Sequence, residues 1–355
     1  ANNYNSDSII DDGSCEYDDN IFNVPEEYQL IQEAIYYSSY GDTVLVDSGT
    51  YNESIDFLGK DISVISLNGP DNTIINGSLD STSVVTFSNG GNALFDGFTI
   101  TGGYGKGISF EDFISNAADS DIFENMLYND MASGGILCIE SSPHLNNLII
   151  ENNFSRNVAG GIGIINSSPI ISNSIIRYNT ILDGDALGGG GIAINGGSPI
   201  LYNLEIYNNT VGSNMYSLSG GGGILCGFPY QGNTINLLAD NIEIYQNTAN
   251  IGGGLGILSG EATLDRVLAI NNLGDYGSSI SLGEPLGLVI DDIDVKISKS
   301  TIAYNQGLIS IGMIDNSNLS IINSIIWNPD AEYEIAPLPN NSQLNSQIFY
   351  SNIYS

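Results

Sequence analysis

The feature that most constrains this chain is an internal repeat. Segments align on a shared asparagine: ENM at Asn125, IIENN at Asn153, IIRYN at Asn179, EIYNN at Asn209, EIYQN at Asn247, LAINN at Asn272, TIAYN at Asn305 and SIIWN at Asn328. Successive spacings are 28, 26, 30, 38, 25, 33 and 23 residues. Each repeat opens on small residues followed by alternating apolar ones, as in GGILCI from Gly134, GGIGII from Gly160, GGIAIN from Gly190, GGILCG from Gly222 and GGLGIL from Gly253. Three repeats share a central turn that puts Pro143, Pro169 and Pro199 in register. An elastic period of this size, with two or three short apolar strands per repeat and no helical spacing, fits one coil of a parallel β-helix. Like residues then stack at the ~4.8 Å distance between paired strands. Asparagine recurring in one register is expected at bends, where stacked amides hydrogen-bond along the axis. The eight aligned asparagines are therefore read as a structural ladder, and Asn147, Asn173, Asn203 and Asn241, six residues earlier in each coil, as a second one.

Composition supports short strands and turns. The 43 Asn and 43 Gly among 355 residues interrupt the chain too often for long helices. With 7 basic and 41 acidic side chains the formal charge is −34, which excludes nucleic-acid and anionic-membrane binding because both need clustered Lys and Arg. Apolar residues at 42% supply a large core, so the acidity belongs to a folded surface. No apolar run reaches the ~18 residues needed to cross a bilayer, and nothing at the start reads as a signal peptide. A chain beginning at Ala1 suggests a mature or excised piece.

One helix signal precedes the clear repeats. In VPEEYQLIQEAIYY, Pro25 suits a first turn, Glu26 and Glu27 suit the positive end of a helix, and Leu30, Ile31, Ala34 and Ile35 form an apolar face. Such a helix is expected to lid the first coil. The organisation expected is an acidic Cys-containing segment over 1–20, a cap over 21–43, and an all-β parallel β-helix of about ten or eleven coils over 44–355, a rod of roughly 50 Å.

The run YQLIQEAI, GDTVLVDSGTYNESIDFLGKDISVISLNGPDNTIING and the GGI coils after it resemble the right-handed parallel β-helix proteins of the pectate-lyase-like superfamily, over about residues 22–350. Many of these are secreted or surface proteins of marine and gliding bacteria. The resemblance implies the fold and an extracellular or cell-surface location. It leaves activity open, since the superfamily holds lyases, hydrolases, esterases, adhesins and non-enzymatic surface proteins. ANNYNSDSIIDDGSCEYDD resembles a short acidic extracellular module whose usual form has a further Cys upstream, which would leave Cys15 without its partner. The last residues, SNIYS, read as the start of a strand that continues elsewhere, so the resemblance implies a larger parent.

Three cysteines make no complete disulfide set. Cys138 and Cys226 share a register three coils apart, about 14 Å, too far to bridge, and are expected as free buried thiols. His144, the single His, falls where neighbouring coils carry Ile170 and Ile200 and is expected to be a satisfied or half-buried imidazole; Ser-His-Asp chemistry has no supporting motif. Lyases of the resembled fold set an Arg or Lys base over a groove beside Ca²⁺-binding carboxylates. Arg177 is the foremost base here, with Lys299 next. Arg177 falls in an outward column, Glu151, Arg177, Tyr207 and Tyr245, the candidate ligand-binding surface. One register away Glu205 and Glu243 stack on adjacent coils. This carboxylate pair, with Arg177, is the catalytic candidate; it could equally bind Ca²⁺ or stand in water. The stacked tyrosines suit sugar rings, and the longest insertions, from Ile181, Gly212 and Gly227, cluster beside them. Asp11 and Asp12, Asp119, Asp121 and Glu124, and Asp291, Asp292 and Asp294 are oxygen-rich candidates for Ca²⁺ without a full binding-loop spacing. No cofactor is required.

Two function classes follow. The first is a non-catalytic secreted or cell-surface scaffold that binds polysaccharide or surface partners, with end-to-end self-association as a variant; few bases and one His favour it. The second is a polysaccharide lyase or glycoside hydrolase acting on acidic or marine polysaccharides.

Overall fold

A computed structural model describes residues 20–77, 82–106, 132–156, 158–182, 188–212, 220–227, 234–283, 292–339 and 345–354. Asp11, Asp12, Cys15, Asp119, Asp121, Glu124, Asn125, Asp291 and the bodies of the three insertions lie outside these residues. The described chain is a parallel β-helix: a 19-stranded sheet, a 10-stranded sheet and a 4-stranded sheet, in which strands from successive coils pair in parallel. Ile136, Ile162, Ile192, Ile224, Leu255, Ile280 and Ile311 form one unbroken inward column across seven coils of the 10-stranded sheet. All are buried in one continuous apolar core.

The asparagine ladder closes the turn out of the long sheet. Asn153, Asn179, Asn209, Asn247, Asn272 and Asn305 are each fully buried. Each donates both its backbone N–H and its Nδ2 to the Oδ1 of the next, as from Asn179 to Asn209 at 3.1 and 3.0 Å. The remaining Nδ2 hydrogen goes to a backbone carbonyl of the preceding coil, such as Ile150 O at 2.9 Å. A backbone N–H that no strand can satisfy is thereby paired without water. The amides point one way, so the final member, Asn328, presents unsatisfied donors. Glu334 meets them, its Oε1 accepting from Asn328 N at 2.6 Å and its Oε2 from Asn328 Nδ2 at 2.7 Å.

The Gly-Gly pairs opening each coil have a steric cause. A Cβ on Gly160 would stand 2.5 Å from Gly190 O, and one on Gly161 2.4 Å from Gly191 O and 3.2 Å from Asn179 Nδ2. Backbones of successive coils and the ladder converge too closely there for any side chain. The second asparagine column lies at a left-handed corner, φ 51–55° at Asn147, Asn173, Asn203 and Asn241, where Asn is tolerated. It is exposed, and its amide chain runs from Asn241 to Asn203 (3.0 Å) to Asn173 (2.7 Å) and then to Asn146, not Asn147.

The helix differs from expectation at its start. It spans Ile31–Tyr37, with Glu33 as its first-turn acid. Pro25 and Glu26 belong instead to a turn that follows the strand Ile21–Val24 and closes through Glu27 N to Asn23 O at 2.9 Å. That strand already pairs in parallel with Thr43–Val46, so the chain at Pro25 is leaving a sheet rather than entering a helix. Leu30, outside the helix, is 49% exposed, whereas Ile31, Ala34 and Ile35 are buried in the core. Both helix ends are satisfied from the following coil. Glu53 accepts from Ile31 N and Gln32 N at 2.9 Å each, and Lys60 Nζ donates to Ile35, Tyr36 and Ser38 carbonyls at 2.7–2.8 Å. A carboxylate at the N-terminus and an ammonium at the C-terminus both oppose the helix dipole.

Candidate functional site

The eight-residue strand Ile170–Arg177 and its successors Ile200–Tyr207 and Asn236–Tyr245 are bent once by the left-handed corner and then run outward-inward to their ends. Alternation buries Ile150, Ile176, Ile206 and Ile244 and turns the flanking residues out. The structure places Glu151 beside Arg177, Arg177 beside Tyr207 and Tyr207 beside Tyr245, all in one outward column. Glu205 and Glu243 pair in the adjacent outward register.

These side chains form one connected strip. Arg177 Nε donates to Glu151 Oε2 at 2.7 Å and Nη1 to the Tyr207 hydroxyl at 2.8 Å. Tyr207 and Tyr245 stack face to face, centroids 4.6 Å apart and planes 6° from parallel. Tyr245 then donates its hydroxyl to Glu205 Oε2 at 3.0 Å. The Tyr207 hydroxyl and, behind it, Glu151 hold Arg177 above its ordinary pKa against the opposing effect of partial burial. Burial first and the Glu205 carboxylate second push Tyr245 upward, so it stays a neutral donor. A shallow groove of ≈ 260 Å³ runs alongside, lined by Glu205, Glu243 and the corner amides Asn173, Asn203 and Asn241. Along the axis it sets a column of carboxylates beside a column of amides that bond to one another.

The other candidates are placed apart from this strip. His144 is exposed rather than half-buried, with Nε2 3.2 Å from Ser172 Oγ; the outward register that carries Ile170 and Ile200 is itself solvent-facing. Lys299 and Arg266 succeed the asparagines at the left-handed corner. Lys299 Nζ lies 3.0 Å from Asp265, while Arg266 pairs with Asp240 and Asp265. Cys138 and Cys226 sit three coils apart through Ile164 and Ile194, both buried and free. Ca²⁺ takes six to eight oxygen ligands. Among the described residues no group of three or more His, Cys, Asp or Glu converges, and one oxygen of the Glu205–Glu243 pair already accepts from Tyr245.

Architecture and stacking define a parallel β-helix, with an outward aromatic and carboxylate strip along its long sheet. No protein-family model matches the chain, and no curated protein matches it in sequence. Solved structures do match in fold. Pectate lyase Pel9A aligns with a TM-score of 0.52 at 15% identity, over 92% of this chain and 78% of its own. An alginate lyase from Paenibacillus sp. str. FPU-7 aligns with a TM-score of 0.50 at 11% identity, over 95% of this chain and 99% of its own. At such identities the likeness is one of fold. Among the described residues no helix is long and apolar enough to cross a membrane.

Proposed function

We propose that the protein is a secreted or cell-surface β-helix that binds glycans along the Glu151–Arg177–Tyr207–Tyr245–Glu205 strip without cleaving them. The observation that carries this reading is the fixation of Arg177. A lyase base must give up its proton to accept another, which calls for a lowered pKa. Arg177 is instead held as a cation by Glu151 and Tyr207, with its guanidinium 5.7–5.9 Å from the Tyr178 and Tyr207 ring centres. It acts as a brace that keeps the rings presented. Stacked phenols offer faces to the C–H side of a sugar, while Glu205, Glu243 and the corner amides take its hydroxyls. The fold neighbours named above are a pectate lyase and an alginate lyase, which supports a carbohydrate partner.

Glycoside hydrolysis is the second reading, favoured by one feature. Glu205 and Glu243 lie on adjacent rungs, ~4.8 Å apart in backbone, close to the carboxyl separation of about 5 Å in retaining enzymes. Depolymerisation assays on pectin, alginate, sulfated and neutral glycans, run beside affinity gels containing the same polymers, separate the two. The expected result is retardation in at least one gel, lost in Tyr207→Ala/Tyr245→Ala, with no reducing ends or unsaturated products. Turnover abolished by Arg177→Ala or Glu205→Gln would overturn the binding reading.

A further inference from the structure

The outward column that carries Tyr207 and Tyr245 runs on through Ile270, Ala303 and Trp327. At Trp327 the construction seen at Tyr207 is repeated. Tyr178 occupies a left-handed corner (φ 56°) directly after the column residue Arg177 and sets its ring edge-on to Tyr207 of the next coil, at 5.9 Å and 74°. Tyr304 occupies the same kind of corner (φ 56°) directly after the column residue Ala303 and sets its ring edge-on to Trp327 of the next coil, at 4.9 Å and 64°. Tyr304 is 48% and Trp327 42% exposed. Between the platforms the column carries only the partly buried Ile270 and then Ala303, 5% exposed. Four rungs separate Tyr207 from Trp327, about 19 Å at the ~4.8 Å strand spacing. Two platforms of one design, aligned on the rod axis at that distance, suit a polymer of repeating rings better than a compact ligand.

Charge decides which polymer. The chain carries a formal −34, and the described cations of the strip and of the left-handed corner beside it are already engaged: Arg177 by Glu151, Arg266 by Asp240 and Asp265, Lys299 by Asp265; Lys296, exposed in the strand before that corner, lies outside the strip. The strip is flanked by the carboxylates Glu205 and Glu243. A polyuronate approaching it meets repulsion from the whole molecule and no unpaired cation in the strip to offset that. A polymer of uncharged sugars loses nothing in that field and donates its hydroxyls to the same carboxylates.

We infer that the column binds one linear, uncharged polysaccharide strand lying along the rod axis across both aromatic platforms, and discriminates against uronate polymers. This rests on the glycan-binding reading above and adds its ligand class and extent.

The test uses an intrinsic probe, because Trp327 is the only tryptophan in the sequence. The full chain is titrated with neutral xylo-, cello- and manno-oligosaccharides from di- to hexasaccharide, and with oligogalacturonates and oligoguluronates of the same lengths. Tryptophan emission and calorimetric heat are read in parallel. A neutral hexasaccharide is expected to shift the emission, to bind about tenfold or more tightly than the disaccharide, and to keep its affinity in about 0.5 M NaCl, where surface charges are screened. Tyr304→Ala and Trp327→Phe should weaken the hexasaccharide and leave the disaccharide unchanged at the Tyr207–Tyr245 platform. Uronate oligomers binding more tightly than neutral ones at low salt would overturn the inference. So would neutral binding with heat but no tryptophan response and no effect of Trp327→Phe, an outcome that leaves the glycan-binding reading standing. Absence of heat with every oligosaccharide removes both.

Discussion

Removing one internal rung of the buried asparagine ladder tests why the repeat is written in asparagine. The Asn209 side chain accepts from Asn179 N at 3.1 Å and Asn179 Nδ2 at 3.0 Å, and donates to Ile176 O at 2.9 Å and Asn247 Oδ1 at 3.0 Å. The residue is 0% exposed, so water does not replace these partners. At about 1 kcal/mol net per hydrogen bond, four lost bonds cost about 4 kcal/mol, and the buried Asn179 N–H left without an acceptor raises this toward about 6 kcal/mol. Domain stabilities are about 5–15 kcal/mol, so Asn209→Ala should lower the urea midpoint steeply at nearly unchanged slope. Asn203 is the control. It also bonds along the axis, to Asn173 and from Asn241, but in the exposed column, where water competes. Asn203→Gly keeps the left-handed corner and should cost less than about 1 kcal/mol. Asn209→Ala/Asn247→Ala should cost less than the sum of the single changes, because the two share a bond. A cost below about 1 kcal/mol for Asn209→Ala, or equal costs at Asn209 and Asn203, would refute the view that burial makes one ladder structural and leaves the other a surface trim.

Further outcomes follow from the same contacts. Glu334→Ala leaves the Asn328 backbone N–H and one Nδ2 hydrogen unmet in a buried setting, the other keeping Ser310 Oγ at 2.9 Å, and should destabilise by about 2–4 kcal/mol in urea melts, with Glu334→Gln intermediate. Burial pushes the Cys226 thiol up to about 12 and the Cys138 thiol higher still; in a Cys15→Ser background neither should react with a thiol reagent at pH 8 until denaturant is added. The Asp265 carboxyl is held below its ordinary value, first by the Ser298 hydroxyl and then by Lys299. Its contribution is present above the unfolded-state pKa and is lost as pH falls through the folded one. NMR titration should therefore show Asp265 titrating low in the wild type and moving upward in Ser298→Ala.

Much of the fold is legible in the sequence because a solenoid repeats its environment. Aligning on Asn153, Asn179, Asn209 and Asn247 assigns Glu151, Arg177, Tyr207 and Tyr245 to one column, since each residue's register follows from its distance to the ladder. The same logic separates Cys138 from Cys226. What escapes are contacts between residues that are not repeat-equivalent. Nothing in NESIDFLGK marks Glu53 and Lys60 as the groups that meet the two helix ends, so Pro25 and two glutamates stand in for a start that the fold places at Ile31. Glu334, six residues after Asn328 and equivalent to no ladder position, takes the place of the next ladder amide. The Tyr304–Trp327 platform is hidden for a related reason: counting back two residues from Asn328 assigns Ile326 to the column, whereas the strand register puts Trp327 there, opposite Ala303, and pairing with a corner tyrosine of the previous coil needs geometry. Glu151 pairs with Arg177 and Tyr245 donates to Glu205, two bonds that residue types alone leave open.

The most direct test is calorimetric titration of the full chain with a soluble neutral hexasaccharide, alongside a Tyr207→Ala/Tyr245→Ala variant shown by circular dichroism to keep its strands. The glycan-binding account predicts saturable heat with the wild type, no newly formed chain ends after the titration, and loss of the signal in the variant. Undiminished binding by the variant, or cleavage of the oligosaccharide by the wild type, would contradict it.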